Sequence, residues 1–486
     1  MEELRAADTG GVPTNRRSPV GPAVNPTGVS GGERVVFTPA SRKIQRLAAP
    51  AFFAGLCWLV LLLSQGHGRL PQRLIDGLAE WSITLTLVVV LLARGIYLGR
   101  PVTAAHATAA VALLTVGLGS RLLSWSLAGD ALVIAAAAVL VASMASRPDP
   151  ASVPRIWRLV CQTHGDPLAS FTMHSRKSHY FNADGSAAVA YRTLLGVAVI
   201  SGDPVGRPDA FADLAAGFVA MCRSRGWRVV VLGCREERIA LWRKGVSSLR
   251  AIPIGCDVEV DVPCFAMDGR RFRNLRQAVS RSRNRGITTQ LIGEQDLGEA
   301  LATELAEVVY ASGHGARRER GFSMILDGAL EGRYPGVAVM IGRDVDGRVQ
   351  GFHRYLVAGA GSDVTLDVPW RRPGAPNGLD ERLTVDMIEW CKIAGTQRLS
   401  LAFAAFPDLF DNPNRTRVEN FYYHVITLGG PLIRLEPLYR YLQKFHALGT
   451  RRYVLVSLRH IPVALIVLLA LEFLPRHRTL ERPARC

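Results

Sequence analysis

The chain has 486 residues, 49% hydrophobic and 20% charged, with 58 Lys and Arg against 41 Asp and Glu for a formal charge of +17. That length holds two to four domains, and the apolar content excludes a disordered or collagen-like chain and favours membrane segments. The charge points to anionic partners, a phospholipid surface or nucleic acid. None of the eight cysteines forms a Cys-x-x-Cys pair, so they read as reduced small hydrophobes rather than zinc ligands or a disulfide framework.

Residues 1–46 are rich in Gly, Pro, Ser and Arg and are expected to be a disordered, mildly basic cytoplasmic tail. The first apolar run starts only near Leu47, too late for a signal peptide. Four runs follow, Leu47–Leu63, Leu78–Leu98, Val102–Ser120 and Ala128–Ser146, each approaching the ~20 residues that cross a bilayer. Residues 47–146 therefore read as four transmembrane helices of a multi-pass cell-membrane protein. Arg34, Arg42, Lys43 and Arg46 before the first run favour a cytoplasmic N-terminus. Four crossings return the chain to the cytoplasm, in agreement with Arg147, Arg155 and Arg158.

Residues 151–486 alternate strand-like and helical patterns, an α/β signature. Strands are expected at Ala187–Tyr191, Val197–Ile200, Val229–Leu232, Val337–Ile341 and Arg398–Ala402. Helices are expected at Phe211–Arg225, Leu297–Ala311 and Leu379–Ala394. Ile461–Leu471, eleven apolar residues between His460 and Glu472, is short for a span; it reads as a core or interfacial helix, with a fifth crossing as the alternative.

Within 342–395, Asp346-Gly347 signals a hairpin between Val337–Ile341 and Val349–Leu356, and the strand Asp363–Val368 follows. The loop Arg371–Gly378 then leads into the helix Leu379–Ala394, which Gly395 ends. Strand, Gly-containing loop, helix and strand is the arrangement of a GNAT-type acyltransferase core, where amides at the helix start bind an anionic group. Arg371-x-x-Gly374-x-Pro376 meets that fold's pyrophosphate pattern in part, because Pro376 lacks a donor amide. A plain strand–helix–strand turn is the alternative.

Between Asp268 and Gly286 lie seven arginines against one acid. Helical spacing gathers Arg270, Arg273, Arg276, Arg281 and Arg285 around one side. Such a stripe suits RNA phosphates or an anionic leaflet; a solvated helix face is the bland alternative. The histidines have no metal-ligand spacing, and no Ser/His/Asp set or G-x-S-x-G elbow is present.

These features together resemble the C-terminal domain of the bacterial phosphatidylglycerol lysyltransferases, the multiple peptide resistance factor family. The matching stretches run from Lys177–Phe181, Tyr191-Arg192 and Gly202–Gly206 through Gly226-Trp227 and the Arg-rich segment to Gly321–Met324. Leu366-Asp367, Pro376–Gly378, Leu399–Leu401, Lys444-Phe445 and Arg452-Tyr453 complete them, in family order over nearly all of 160–475. The resemblance implies tandem GNAT-type units, here 151–290 and 291–486, and transfer of an aminoacyl group, lysyl among them, from aminoacyl-tRNA to phosphatidylglycerol or a related lipid. It implies a part in antimicrobial-peptide resistance, anionic phospholipid, aminoacyl-tRNA and the membrane as partners, and no cofactor or metal; self-association is left open. Where the family has Asp-Leu-Met-Arg this chain reads Asp367-Val368-Pro369-Trp370, with Arg371 one place later.

An aminoacyl ester is already activated, so its transfer needs positioning and oxyanion stabilisation only. Asp367 is a candidate to orient the donor's amino group or accept a proton, or else a turn cap. Glu381 matches a family acid but equally suits a helix's first turn. Arg371, Lys444 and Arg452 are candidates for the lipid phosphate or the tRNA terminus, or else surface ion pairs. Ser323 and Asn377 are expected to contact substrate. Asp367, Arg371 and Lys444 are expected around one cavity, with Asn377 and Glu381 beside it. A non-catalytic domain binding tRNA or anionic lipid, and an acyl-CoA-dependent acyltransferase, are the competing functions.

Overall fold

The computed structural model describes residues 35–37, 48, 50–58, 72–312, 318–319, 324–405, 441–473 and 476–477. Ser323 and residues 47, 49 and 59–63 of the expected span Leu47–Leu63 lie outside them. Inside the expected tail, Val35–Phe37 is a short strand paired with Val102–Thr103.

Three helices open the described chain: α1 (Gln72–Tyr97), α2 (Ala104–Leu122) and α3 (Ser126–Leu140). Among the described residues only α2 is long and apolar enough to cross a membrane; Ile83–Tyr97 of α1 and α3 are shorter apolar stretches. Of the four expected spans, Val102–Ser120 thus coincides with a helix of spanning length, and Leu47–Leu63 lies partly outside the described residues. At ~1.5 Å per residue, the 15 residues of α3 fall short of a ~30 Å hydrocarbon core. α2 and α3 meet where Gly129 faces the Gly117 carbonyl, 2.7 Å from where a Cβ would stand, and Arg121 pairs with Asp130 at 3.1 Å across the turn.

The remainder is α4 (Val153–Gln162), β1 (Ser178–Phe181), β2 (Ala187–Leu194), β3 (Val197–Ser201), α5 (Phe211–Ser224), β4 (Arg228–Arg235), α6 (Ile239–Gly245) and β5 (Leu249–Asp261). There follow α7 (Arg273–Asn284), β6 (Thr288–Gly293), α8 (Glu299–Ala311), β7 (Val337–Arg343), β8 (Val349–Ala358) and β9 (Asp363–Arg371). The last elements are α9 (Leu379–Ala394), β10 (Arg398–Ala405), β11 (Leu448–Ser457) and α10 (Ile461–Phe473). The strands form one mixed sheet in the order β1-β2-β3-β4-β11-β5-β10-β9-β8-β7-β6.

Two parallel pairs stand in this sheet, β3 with β4 and β9 with β10, each joined through a helix, α5 or α9. The two halves interlock. β11, from the end of the chain, lies between β4 and β5, and β5 lies between β11 and β10. β6 pairs with β7, so the second set of strands already begins at Thr288, before the expected boundary at 291.

Side chains alternate between the faces of the sheet. α5 and α6 bring Leu214, Phe218 and Trp242 onto Tyr191, Ile200 and Val231, while α10 covers the other face with Ala464, Val467 and Leu471 on Val199, Val230 and Val454. α10 is thus a sheet-packed helix of 13 residues, not a fifth crossing. In the second half, α7 and α9 place Leu275, Val279, Leu383 and Ile388 on Val258, Tyr355, Leu366 and Leu401. α4 and α8 cover the opposite face.

Where β4, β11 and β5 meet, the Arg452 guanidinium is fully buried. It donates to Asp257 at 2.7 Å, Asp166 at 2.9 Å, Asp203 at 3.1 Å and the Gly233 carbonyl at 3.0 Å. This corrects the expectation that Arg452 meets a phosphate: its donors are taken by three carboxylates. Burial raises the pKa of Asp203 and Asp257 against the pull of Arg452. Burial also acts on Asp166, but Arg452 and Arg235 prevail and hold it low.

Lys177 is also fully buried, donating to the Phe171 carbonyl and to Ser201 Oγ, both at 2.8 Å. Burial pushes its ammonium down to about 7, against the attraction of Glu472 and Asp327.

Arg452→Met strands three buried carboxylates, and at neutral pH it should cost about 3–5 kcal/mol, read by chemical unfolding of the detergent-solubilised protein. The deficit should shrink on acidification as the carboxylates take protons. For Lys177, the unfolded chain binds the extra proton between about 7 and 10.5, so stability should rise with pH through that window by up to about 1.4 kcal/mol per unit. Lys177→Met should flatten that slope; an unchanged pH profile refutes the buried amine as its source.

Candidate active site

Strand β9 divides the expected catalytic residues between two faces. Opposite a bulge, Tyr355 pairs with Leu366 and Arg354 with Val368, which leaves Asp367 without a cross-strand partner. Its carboxylate accepts from Arg354 at 2.7 Å and from the Leu326 amide at 3.1 Å. Arg354, fully buried, also holds Glu294 at 2.8 and 2.9 Å. Burial pushes Asp367 up to about 6, against the charge of Arg354 and the Leu326 amide. Farther along β9, Trp370 packs on Phe352 under α8, and Arg371 turns to the α9 side.

On that other face a polar cluster surrounds the first turn of α9. Arg371, half exposed, reaches Asp380 at 3.3 Å, and the buried His353 reaches the same carboxylate at 3.3 Å and the Tyr355 hydroxyl at 3.2 Å. Thr384 and Tyr441 share a 2.5 Å hydrogen bond, and Lys444, 37% exposed, pairs with the buried Glu381 at 2.5 Å. Burial works to raise the pKa of Asp380, but His353, Arg371 and Lys444 together hold it below the usual carboxylate value. Asn377 is exposed at the helix start. The α9 start thus gathers Arg371, Asn377, Glu381 and Lys444. It does not gather Asp367, which faces the opposite side of the sheet, or Arg452, which lies in the buried acidic knot; the expected single constellation with Asp367 is corrected accordingly.

The Arg-rich segment forms α7 with its preceding turn. Leu275, Ala278, Val279 and Ser282 are buried, whereas Arg270, Arg273, Arg281 and Arg285 are exposed. Arg276 is half-buried and donates to the Met267 carbonyl. Gly378, with φ 93°, starts α9 against the Ala278 carbonyl, where a Cβ would collide with it. A glycine is required there, and it brings the basic helix directly against the α9 start.

The accessible charges at this start are two cations, Arg371 and Lys444, each beside an acid. They suit a phosphate-bearing substrate that exchanges one carboxylate partner for another anion. The loop suits a pyrophosphate poorly. Ala375 and Leu379 spend their amides on Arg372 and Pro376 carbonyls, and Asp380 and Glu381 place negative charge in the first turn. The sequence reading missed His353, Arg354, Glu294 and Asp380. The signal available was His353-Arg354, two adjacent titratable residues flanked by Phe352, Tyr355 and Leu356 in β8, which require buried partners on both faces.

The chain is similar to several known proteins. The profile of the family described as "Phosphatidylglycerol lysyltransferase, C-terminal" matches residues 157–456. The chain is 52% identical over 453 residues to the MprF-like domain protein Rv1619 of Mycobacterium tuberculosis, covering 93% of each. It is 29% identical over 295 residues to the lysylphosphatidylglycerol biosynthesis bifunctional protein LysX of Rhodococcus jostii, covering 60% of this chain and 26% of that protein. The fold matches the structure of L-PGS from Bacillus licheniformis with a TM-score of 0.58 at 19% identity, over 68% of this chain and 98% of that one. The profile match and the full-length likeness to Rv1619 place the chain in the phosphatidylglycerol lysyltransferase C-terminal family.

Proposed function

We propose that this chain is a membrane-anchored aminoacyltransferase that moves an aminoacyl group, lysyl among the candidates, from aminoacyl-tRNA to phosphatidylglycerol, with its α/β region in the cytoplasm. The observation that carries the reading is the close approach of Gly378 to Ala278. It sets an arginine stripe suited to tRNA phosphates beside a helix start suited to a phosphorylated acceptor. Arg371 and Lys444 would hold the phosphate of the lipid and Asn377 a polar group of either substrate, while Glu381 orients Lys444 and serves as a proton acceptor beside it. Asp367, tied to Arg354 and Glu294, is proposed as a positioning residue that fixes β9 and thereby Arg371.

The reaction joins the aminoacyl carbonyl to the lipid hydroxyl; the hydroxyl proton leaves and the tRNA ribose oxygen departs with a proton. Because the ester is activated, holding the two substrates in register accounts for most of the acceleration. A non-catalytic binding domain would use the same surfaces and is separated from this reading by product formation alone.

Lipid extracts from cells with and without the gene provide the test. A ninhydrin-positive lipid that appears only with the gene supports transfer; its absence, with aminoacyl-tRNA still bound, leaves the binding domain. Purified protein in phosphatidylglycerol vesicles should lose about 10²–10³ in transfer rate on Lys444→Met, the usual cost of one positioned polar group. Arg273, Arg281 and Arg285 changed together to Gln should weaken tRNA binding and reduce its salt slope by about three. An unchanged slope in the folded protein returns those arginines to a solvated face.

A further inference from the structure

The apolar helices and the first half of the sheet meet at one end, where β2 turns into β3 and β4 begins. The segments after α1 and α3 are fastened there. Arg100 donates to the Val141 carbonyl at 2.7 Å, Trp227 Nε1 to the Met144 carbonyl at 3.0 Å, and Ser146 exchanges hydrogen bonds with Thr193 at 2.5 and 3.1 Å. Gly226 rests on the backbone of Gly99 and Arg100, and Gly196 faces the Arg100 guanidinium. β11 runs antiparallel to β4, with Leu455 opposite Val231, so its exit into α10 lies at this same end.

Two features of this end have no role in the candidate active site. One is the outer face of α10. Its inner face is buried on the sheet, yet Leu465 is 54% exposed, Ile466 58% and Leu469 47%, and Leu458 just before the helix is 59% exposed. Leu195, in the β2–β3 turn beside Gly196, is 57% exposed. No charged residue interrupts α10 before Glu472.

The other is a group of mutually repelling cations. Burial and the charges of Arg94 and Arg228 depress Arg100; burial and Arg94 depress Arg228; burial, Arg228 and Arg459 depress His460. These groups repel one another across the junction. Among the described residues no carboxylate pairs with Arg94, Arg100, Arg228 or Arg459. An assembly of arginines whose mutual repulsion no carboxylate among the described residues offsets is complementary to anions outside it.

We propose that this end of the molecule is a second membrane contact: the outer face of α10, with Leu195 and Leu458, lies in the interface of an anionic bilayer, and Arg94, Arg100, Arg228 and Arg459 sit over lipid phosphates. An apolar face flanked by cations is what the interfacial plane selects. The occupant is a bilayer because the surface is continuous with the attachment of the apolar helices. A second copy of the chain would carry the same positive charge to the junction. The inference deepens the membrane-anchored reading and rests on it, but it concerns a surface separate from the α9 start. It makes α10 a lever that fixes the tilt of the sheet over the lipid.

The test uses the full chain in vesicles, with Cys57, Cys161, Cys264 and Cys486 changed to Ser and an environment-sensitive fluorophore placed by Ile466→Cys or Leu469→Cys. Leu114→Cys on α2 reports the bilayer core, and Ile393→Cys on α9, 87% exposed, reports water. With phosphatidylglycerol present, lipid-borne quenchers should reach 466 and 469, most strongly near the headgroups, reach 114 at depth, and spare 393. Changing Arg228 and Arg459 to Gln, or omitting phosphatidylglycerol, should lower the docked fraction of α10 on the order of tenfold and leave 114 unchanged. Quenching at 114 with 466 and 469 behaving like 393 overturns this proposal and keeps the anchor. No quenching at 114, 466 or 469 overturns both. Crosslinking between copies through 469 in detergent assigns the face to self-association instead, and equal docking without phosphatidylglycerol refutes the role of the arginines.

Discussion

One guanidinium holds the two halves of this protein together. Arg452 is carried into the middle of the sheet by the last strand, and there it binds carboxylates from the loop after α4, the turn after β3 and the centre of β5. Arg235 extends the knot to Glu259, and Gly165 links it onward to Asp363, which Arg398 binds at 2.7 Å. Five acids face three arginines, and burial raises the pKa of Asp203, Asp257 and Glu259, which limits the negative charge they carry. Each carboxylate is tolerable there only while the cations remain, since a buried charge without its partner costs far more than the pair returns. The placement of β11 between β4 and β5 is therefore an electrostatic requirement as well as a matter of backbone pairing. Neither half can close its sheet without a strand from the other.

The same logic of faces decides where chemistry can occur. Strand alternation, shifted by the bulge at Asp367, directs the Arg354–Asp367–Glu294 triad into the layer beneath α8 and leaves Arg371 on the α9 side. A buried triad of one cation and two acids is saturated and rigid, suited to holding a strand in place. The α9 start is different in kind, with exposed cations whose acid partners are themselves half withdrawn. Substrate anions can compete for those cations; they cannot compete for Arg354 or Arg452.

Local patterns in the sequence carried much of this architecture. Apolar runs of strand length and the turn signals around them located β2, β3, β4, β7 and β10 to within a few residues, and Gly378 and Gly395 marked both ends of α9. Those signals are short-range, and so is their reach. Nothing local distinguishes Arg452, which closes a buried knot, from Lys444 eight positions earlier, which stands near solvent. Asp367 and Arg371 are four residues apart, yet one bulge sends them to opposite faces. The strand exchange that places β11 before β5 joins residues nearly 200 apart in sequence, which no periodicity encodes. The apolar runs near the N-terminus were legible as apolar, but their lengths as helices depend on where Ser124, at φ 68°, and Val141 end them.

The continuous sheet gives these local arrangements a common frame. Its first half ends against the apolar helices and bears α10; its second half bears α7 and the α9 start. On the proposed function, two very different anionic substrates, a lipid and an RNA, have to be kept in register, one fixed in a plane and one arriving from solution. A sheet whose halves exchange strands resists bending at their junction, because any hinge there would break β11 and β5 pairing and expose the Arg452 knot together. An orientation set at the proposed membrane contact would then reach the α9 start through paired backbone, not through a linker. The cost of opening that junction is what makes a buried, acid-rich cluster worth retaining at the centre of a basic protein.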